Sequence, residues 1–195
     1  MTKRAVESVL KSASGINLAD PQATQWLAKN LSKIQTKMRQ STFIQQSDNI
    51  TSAEIRPGQM LFFGYSPKTK ANLMFWDEFP ITIYLHPQQG GFLGVNFHYL
   101  PPRMRARFLD QVLKYATDSN WTKNLNKNTK IKVTYPIMKN SSSFNAYRFC
   151  IKRYYLDRIV TNVAPIPPED WKTVPFFPLD QFKGASRLDV WALAR

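Results

Sequence analysis

The side chains of this chain best placed to do chemistry are cations. Lys68 and Lys70 stand two apart in the polar stretch Ser66-Pro67-Lys68-Thr69-Lys70, between two apolar runs. A loop of that kind offers two ammonium groups to a phosphate or a carboxylate, and it equally suits a hairpin kept soluble by lysines. Arg103, Arg107, Lys130, Lys132, Arg148, Lys152, Arg153 and Arg158 follow, with Tyr147, Tyr154 and Tyr155 among them. Arginine beside tyrosine suits phosphate contact plus base stacking at a frayed or single-stranded end. The same pairing is enriched at protein interfaces, so both partners stay open at this point.

Groups for covalent or acid–base work are scarce. Asp77 and Glu78 are adjacent, and neighbours in a strand point to opposite faces, so they make a poor acid/base pair. One of them is expected to bond a backbone amide before Pro80, or to pair with Arg56 or Arg103. His98, between Phe97 and Tyr99, reads as a hydrogen-bonded histidine at a strand end, because no nucleophile motif accompanies it. Cys150 has basic neighbours but sits between Phe149 and Ile151, which favours a buried structural thiol. No Gly-x-x-x-x-Gly-Lys-Ser/Thr loop is present. We therefore expect no enzyme, no catalytic residue, no metal site and no cofactor.

Composition narrows the partner. The 195 residues carry 27 Lys+Arg against 13 Asp+Glu, a net charge of +14. Hydrophobic residues make up 43% and aromatics 13%, enough to form a core and to exclude a chain disordered throughout. The single cysteine excludes an intramolecular disulfide framework. No apolar run reaches the roughly 18 residues of a membrane span, and no signal-peptide core follows Met1, so a soluble protein of a reducing compartment is expected. The charge is uneven. Residues 101–160 hold 13 basic and 3 acidic side chains, residues 1–50 hold 7 and 3, and the other two segments balance. Basic residues interleaved with aromatics are what a polyanion-binding surface looks like.

The elements that must position these groups follow from periodicity. Helices are expected over about 2–14 and from Asp20-Pro21 to about Met38, where Asp20 caps and Pro21 fits the first helical position. Residues 1–50 thus form an amino-terminal helical arm and linker, and residues 51–195 the main domain. Strands are expected at 60–65, 81–85 and 92–97, with a turn over 87–91 and Gly94 allowing close approach. Pro102 opens a basic helix to about Thr117, with Arg103 and Arg107 on one face and Arg105 nearly opposite. A fourth strand is expected at 131–135, helical stretches over 144–160, an edge strand at 163–166, a single turn at 167–171 and a mostly helical tail over 179–193. The fold class is α+β: a small antiparallel SH3-like β-barrel or curled meander, with the basic helix inserted and helices at both ends.

Three segments carry a more specific likeness. They are Phe63-Gly64-Tyr65-Ser66-Pro67-Lys68-Thr69-Lys70, Asp77-Glu78-Phe79-Pro80, and the run from Gly91 to Pro101. With Cys150-Ile151-Lys152-Arg153-Tyr154, Pro168-Glu169-Asp170-Trp171 and the closing Ala185-Ser186…Val190-Trp191, the chain resembles a family of small virion proteins of T4-like tailed bacteriophages, often labelled DNA end protectors. The resemblance spans about residues 56–191. It implies a virion protein, present in the host cytoplasm during assembly, with DNA and other virion proteins as partners, no membrane partner, and room for an oligomer within the virion. The basic residues would then contact the packaged genome end. A structural subunit of the neck, tail or baseplate, its basic surface against neighbouring proteins, fits the same motifs.

Overall fold

A computed structural model of the chain describes residues 49–118, 147–167, 170–171, 174–177 and 179–193. The expected amino-terminal helices and the expected strand at 131–135, with Lys130 and Lys132, lie outside the described residues. So do Pro168 and Glu169 of the turn expected at 167–171.

The described part is α+β, with antiparallel sheets and two α-helices. The strands are β1 (Met60–Phe62), β2 (Trp76–Asp77), β3 (Ile81–Gln88), β4 (Gly91–Asn96), β5 (Ile151–Tyr155), β6 (Ala164–Ile166) and β7 (Phe182–Lys183). The helices are α1 (Pro102–Asp118) and α2 (Arg187–Ala192). Five strands form one antiparallel sheet in the order β5-β4-β3-β1-β6, and β2 pairs with β7 in a separate ribbon. The five-stranded sheet is open, with β5 and β6 as its outer strands.

Strand alternation explains why β1 reads as an unbroken apolar run. Met60 and Phe62 enter one core, with Ile81, Ile83 and Val95, against Phe108 and Leu109 of α1 and the Trp171–Leu179 segment. Leu61 and Phe63 point the other way, into a second core with Tyr84, Phe92, Tyr154, Ile55 and Val163. A strand buried on both faces has no polar face to show. The second core is largely aromatic: Tyr84 and Phe92 stack at 4.5 Å, and Phe63 meets Tyr154 edge-on at 5.5 Å.

α1 starts where its sequence says, with Pro102 in the first position and the Met104 and Arg105 amides donating to the Pro101 carbonyl. Arg103 and Arg107 are exposed and Arg105 is buried, as their angular spacing requires.

Three expectations are corrected. Residues 144–160 are not a helix where described: a 3-10 turn at 147–150 leads into β5, and Leu156–Arg158 is a second 3-10 turn. The four-residue spacing of Tyr147, Ile151, Tyr155 and Ile159 imitated a helix, but pairing of Ile151–Tyr155 with β4 decides the conformation. The tail is helical only over α2, because Phe182–Lys183 pairs with β2 first. Ser186 then caps α2 in a reciprocal capping box with Asp189. Finally, β3 runs on to Gln88, so the turn narrows to Gln89 and Gly90, the latter at φ 69°. Pro87 is tolerated because β1 pairs only with Ile81–Ile83, leaving the far half of β3 as an edge.

Candidate functional site

A groove of about 280 Å³ opens beside β5, an outer strand of the sheet among the described residues. Three separate parts of the chain build it. β5 contributes Lys152, Arg153, Tyr154 and Tyr155; the loop after β1 contributes Tyr65, Pro67, Lys68 and Thr69; Leu73, Phe75, the β2 residues Trp76 and Asp77, and Tyr99 complete the lining. β5 can lie so close to β4 because position 91 is glycine. A Cβ on Gly91 would collide with the main-chain carbonyl of Tyr154. The loop is tied to β5 by the Tyr65 hydroxyl, which accepts the Tyr155 amide at 3.2 Å, and by the Ser66 amide donating to the Arg158 carbonyl at 3.0 Å.

Three of the groove's aromatic rings have a cation near them. The Lys152 ammonium lies 4.2 Å from the Tyr99 ring centroid, the Arg153 guanidinium 4.7 Å from Tyr155, and the Lys70 ammonium 5.9 Å from Trp76. Lys68, Lys70, Lys152 and Arg153 form no salt bridge among the described residues. Burial lowers the Lys152 amine from its ordinary value, slightly offset by Cys150, and raises the Tyr99 and Tyr154 phenols. The part-buried Lys152 ammonium has no carboxylate within ion-pair distance among the described residues.

The floor is held by one carboxylate. Asp77 Oδ2 accepts from Asn96 Nδ2 at 2.9 Å and lies 2.7 Å from His98 Nδ1, and Oδ1 accepts from the Phe79 amide at 3.1 Å. The last bond is the one expected for this residue before Pro80. Asp77, Asn96 and His98 are all buried, so this carboxylate is structural and leaves the groove's cations unneutralised. The carboxy-terminal segment supports it from behind: Phe182 packs edge-on against Tyr99 at 5.2 Å, and the Trp191 indole donates to the His98 carbonyl at 2.9 Å.

The cations singled out in the sequence fall into two groups. Lys68, Lys152 and Arg153 line the groove, and Lys70 stands at its edge on Trp76. Arg103, Arg107 and Arg148 are exposed but do not line it; Arg107 lies near enough to Tyr147 to act electrostatically on its phenol. Arg158 is engaged with Asp157 at 3.4 Å. Cys150 is fully buried, donates to the Tyr147 carbonyl, and is pushed up to about 12 by burial. Trp76, Phe75 and Tyr99 were not singled out from sequence as site residues. Their signal was the aromatic pair Phe75-Trp76 placed a few residues after the lysine loop. Among the described residues no three His, Cys, Asp or Glu side chains converge as metal ligands, and no helix is long and apolar enough to cross a membrane.

An open basic groove with aromatic walls and a buried, already satisfied carboxylate can bind an anion and stack a flat ring. Against known proteins, the family described as phage T4 terminal DNA protecting protein matches residues 16–192, well over half the chain. No curated protein and no solved structure matches it.

Proposed function

The chain belongs to the phage T4 terminal DNA protecting protein family, and from that premise we propose that it binds the end of the packaged genome without chemistry and shields it from exonucleases. The observation that carries this reading is the groove beside β5, where Lys68, Lys152 and Arg153 stand with aromatic side chains and without ion pairs among the described residues. Phosphate neutralisation by these residues supplies affinity. Arg103, Arg107 and Arg148, exposed outside the groove, supply further phosphate contacts, Lys130 and Lys132 add to the charge available for them, and Arg158 contributes where its pairing with Asp157 is exchanged for phosphate. The protein acts in the virion, and in the host cytoplasm during assembly. The strand order β6-β1-β3-β4-β5, with the register shift between Tyr84 and His86, supports reading the sheet as an opened SH3-like barrel used as a scaffold.

A second role fits beside the first. Leu188 and Leu193, on α2 and just after it, are 71% and 64% exposed, which supports contact with a neighbouring virion protein or a second copy in the neck, tail or baseplate. A salt titration against linear and circular DNA, followed by exonuclease digestion, tests the main reading. Preferential binding and protection of linear DNA, falling steeply with salt, is the expected result. Equal protection of nicked circles, or no binding at physiological salt, would overturn it and leave the structural role.

A further inference from the structure

We infer that the groove beside β5 receives one unpaired nucleotide at the DNA terminus, its phosphate on Lys152, Arg153 and Lys68 and its base against the aromatic walls. This rests on the end-binding reading above and makes it specific. At about 280 Å³ the groove is at the small edge of ligand pockets, which run from ~300 Å³ upward, a size that suits one nucleotide. Its chemistry is divided as a nucleotide is. The Lys152 ammonium, part-buried over Tyr99 and without a carboxylate partner among the described residues, and the Arg153 guanidinium, over Tyr155 and donating to the Gln89 carbonyl at 3.0 Å, both line the groove, as do Phe75 and Trp76. A phosphate meets the first pair and a planar base the second.

The rim has the means to open a terminal base pair. Leu73 lines the groove, and Met74 beside it is 82% exposed. Apolar side chains in such positions are inserted between base steps by proteins that unstack DNA. Met74 is also fixed in place: Gly184, at φ +85°, packs so closely under the Met74 carbonyl that a Cβ there would overlap it. The wedge and the groove are therefore parts of one surface.

The test uses the full chain and four short duplexes of equal length: hairpin-capped, blunt, with a one-nucleotide overhang (5′ or 3′), and with an abasic residue as the overhang. 2-Aminopurine at the overhang, or in the terminal pair of the blunt duplex, reports stacking. The overhang is expected to bind more tightly than the abasic end by at least about fivefold, with quenched 2-aminopurine. Lys152→Gln should weaken all ends, and Trp76→Ala should abolish the quenching and the fivefold preference while duplex binding persists. If Trp76→Ala does not fold, Met74→Ser serves, with reduced quenching on blunt ends alone. Ends preferred over capped DNA but no difference between overhang and abasic overhang would overturn the nucleotide site and spare end binding. Equal binding of capped and open duplexes would overturn both. Displacement of the overhang by an acidic peptide, but not by a free mononucleotide, would also overturn the inference.

Discussion

The ammonium of Lys152 on β5, an outer strand among the described residues, and the ring of Tyr99 meet at 4.2 Å. Tyr99 is itself held from behind by Phe75 and Phe182, at 5.9 and 5.2 Å. A cation is thereby kept half out of water by rings alone, with no carboxylate to neutralise it among the described residues. That arrangement is costly in the free protein and becomes favourable when an anion arrives.

Lys152→Met should lower affinity for DNA ends by about tenfold and reduce the slope of log affinity against log salt by about 1, both read from fluorescence titrations. The same variant should be as stable as the parent at pH 7. Burial lowers the Lys152 amine below its ordinary 10.5, so the unfolded chain binds the proton more tightly than the folded one. Parent stability relative to Lys152→Met should therefore rise with pH between the lowered value and 10.5, measured by urea unfolding at pH 7 to 10.

Asp77→Ala should cost about 3–5 kcal/mol, because it strands Asn96, His98 and the Phe79 amide in a buried site. Urea unfolding gives the value. Loss of DNA binding should follow the loss of folded protein and not precede it, since the carboxylate is buried and already bonded to Asn96, His98 and Phe79.

Gly91→Ala should cost more than about 2 kcal/mol and should also damage the groove, because the new methyl group overlaps the Tyr154 carbonyl and forces β5 outward. Gly90→Ala should be milder, since a Cβ there meets only the Tyr155 ring at 4.0 Å and the cost is its φ of 69°. Comparing the two in denaturation and end-binding assays separates strand spacing from turn strain.

How much of this was legible in advance depends on where the deciding contacts lie. β1, β3, β4 and the start of α1 were readable because burial on both faces and the placement of Pro102 are local signals. β5 was not. Its Tyr and Ile spacing fits a helix, and only pairing with β4, some sixty residues earlier, makes it a strand. That error hid the site, because strand geometry is what sets Lys152 and Arg153 at the sheet's outer edge beside Tyr99 and Tyr155. β2 and β7 are two residues each, too short for any period to show. The Asp77–Phe79 bond was foreseeable from the turn, whereas its link to His98 needed the fold. The +10 balance of residues 101–160 pointed to the basic surface, but Lys68 and Trp76 come from the neutral segment before it.

Arg103→Gln with Arg107→Gln, both exposed on α1, should reduce the salt slope by about 2 if each meets a phosphate, while leaving the preference for open ends intact. A change in end preference would place them at the terminus itself.

Cys150 should be inert to alkylating and disulfide reagents at pH 8 in the native protein, because burial pushes its thiol up to about 12 and gives reagents no access. Labelling should appear only with unfolding, so its rate offers a direct reading of how often the 147–150 turn opens.

The glycine at 91 joins β4 to a strand made about sixty residues later, and the walls of the groove come from positions 65–77, 99 and 152–155, with support from 182 and 191. During synthesis the ribosome delivers the lysine loop long before the wall that completes it. A partial chain thus carries cations but no binding surface. The groove is therefore completed in a single late event, and unfinished or truncated copies lack it.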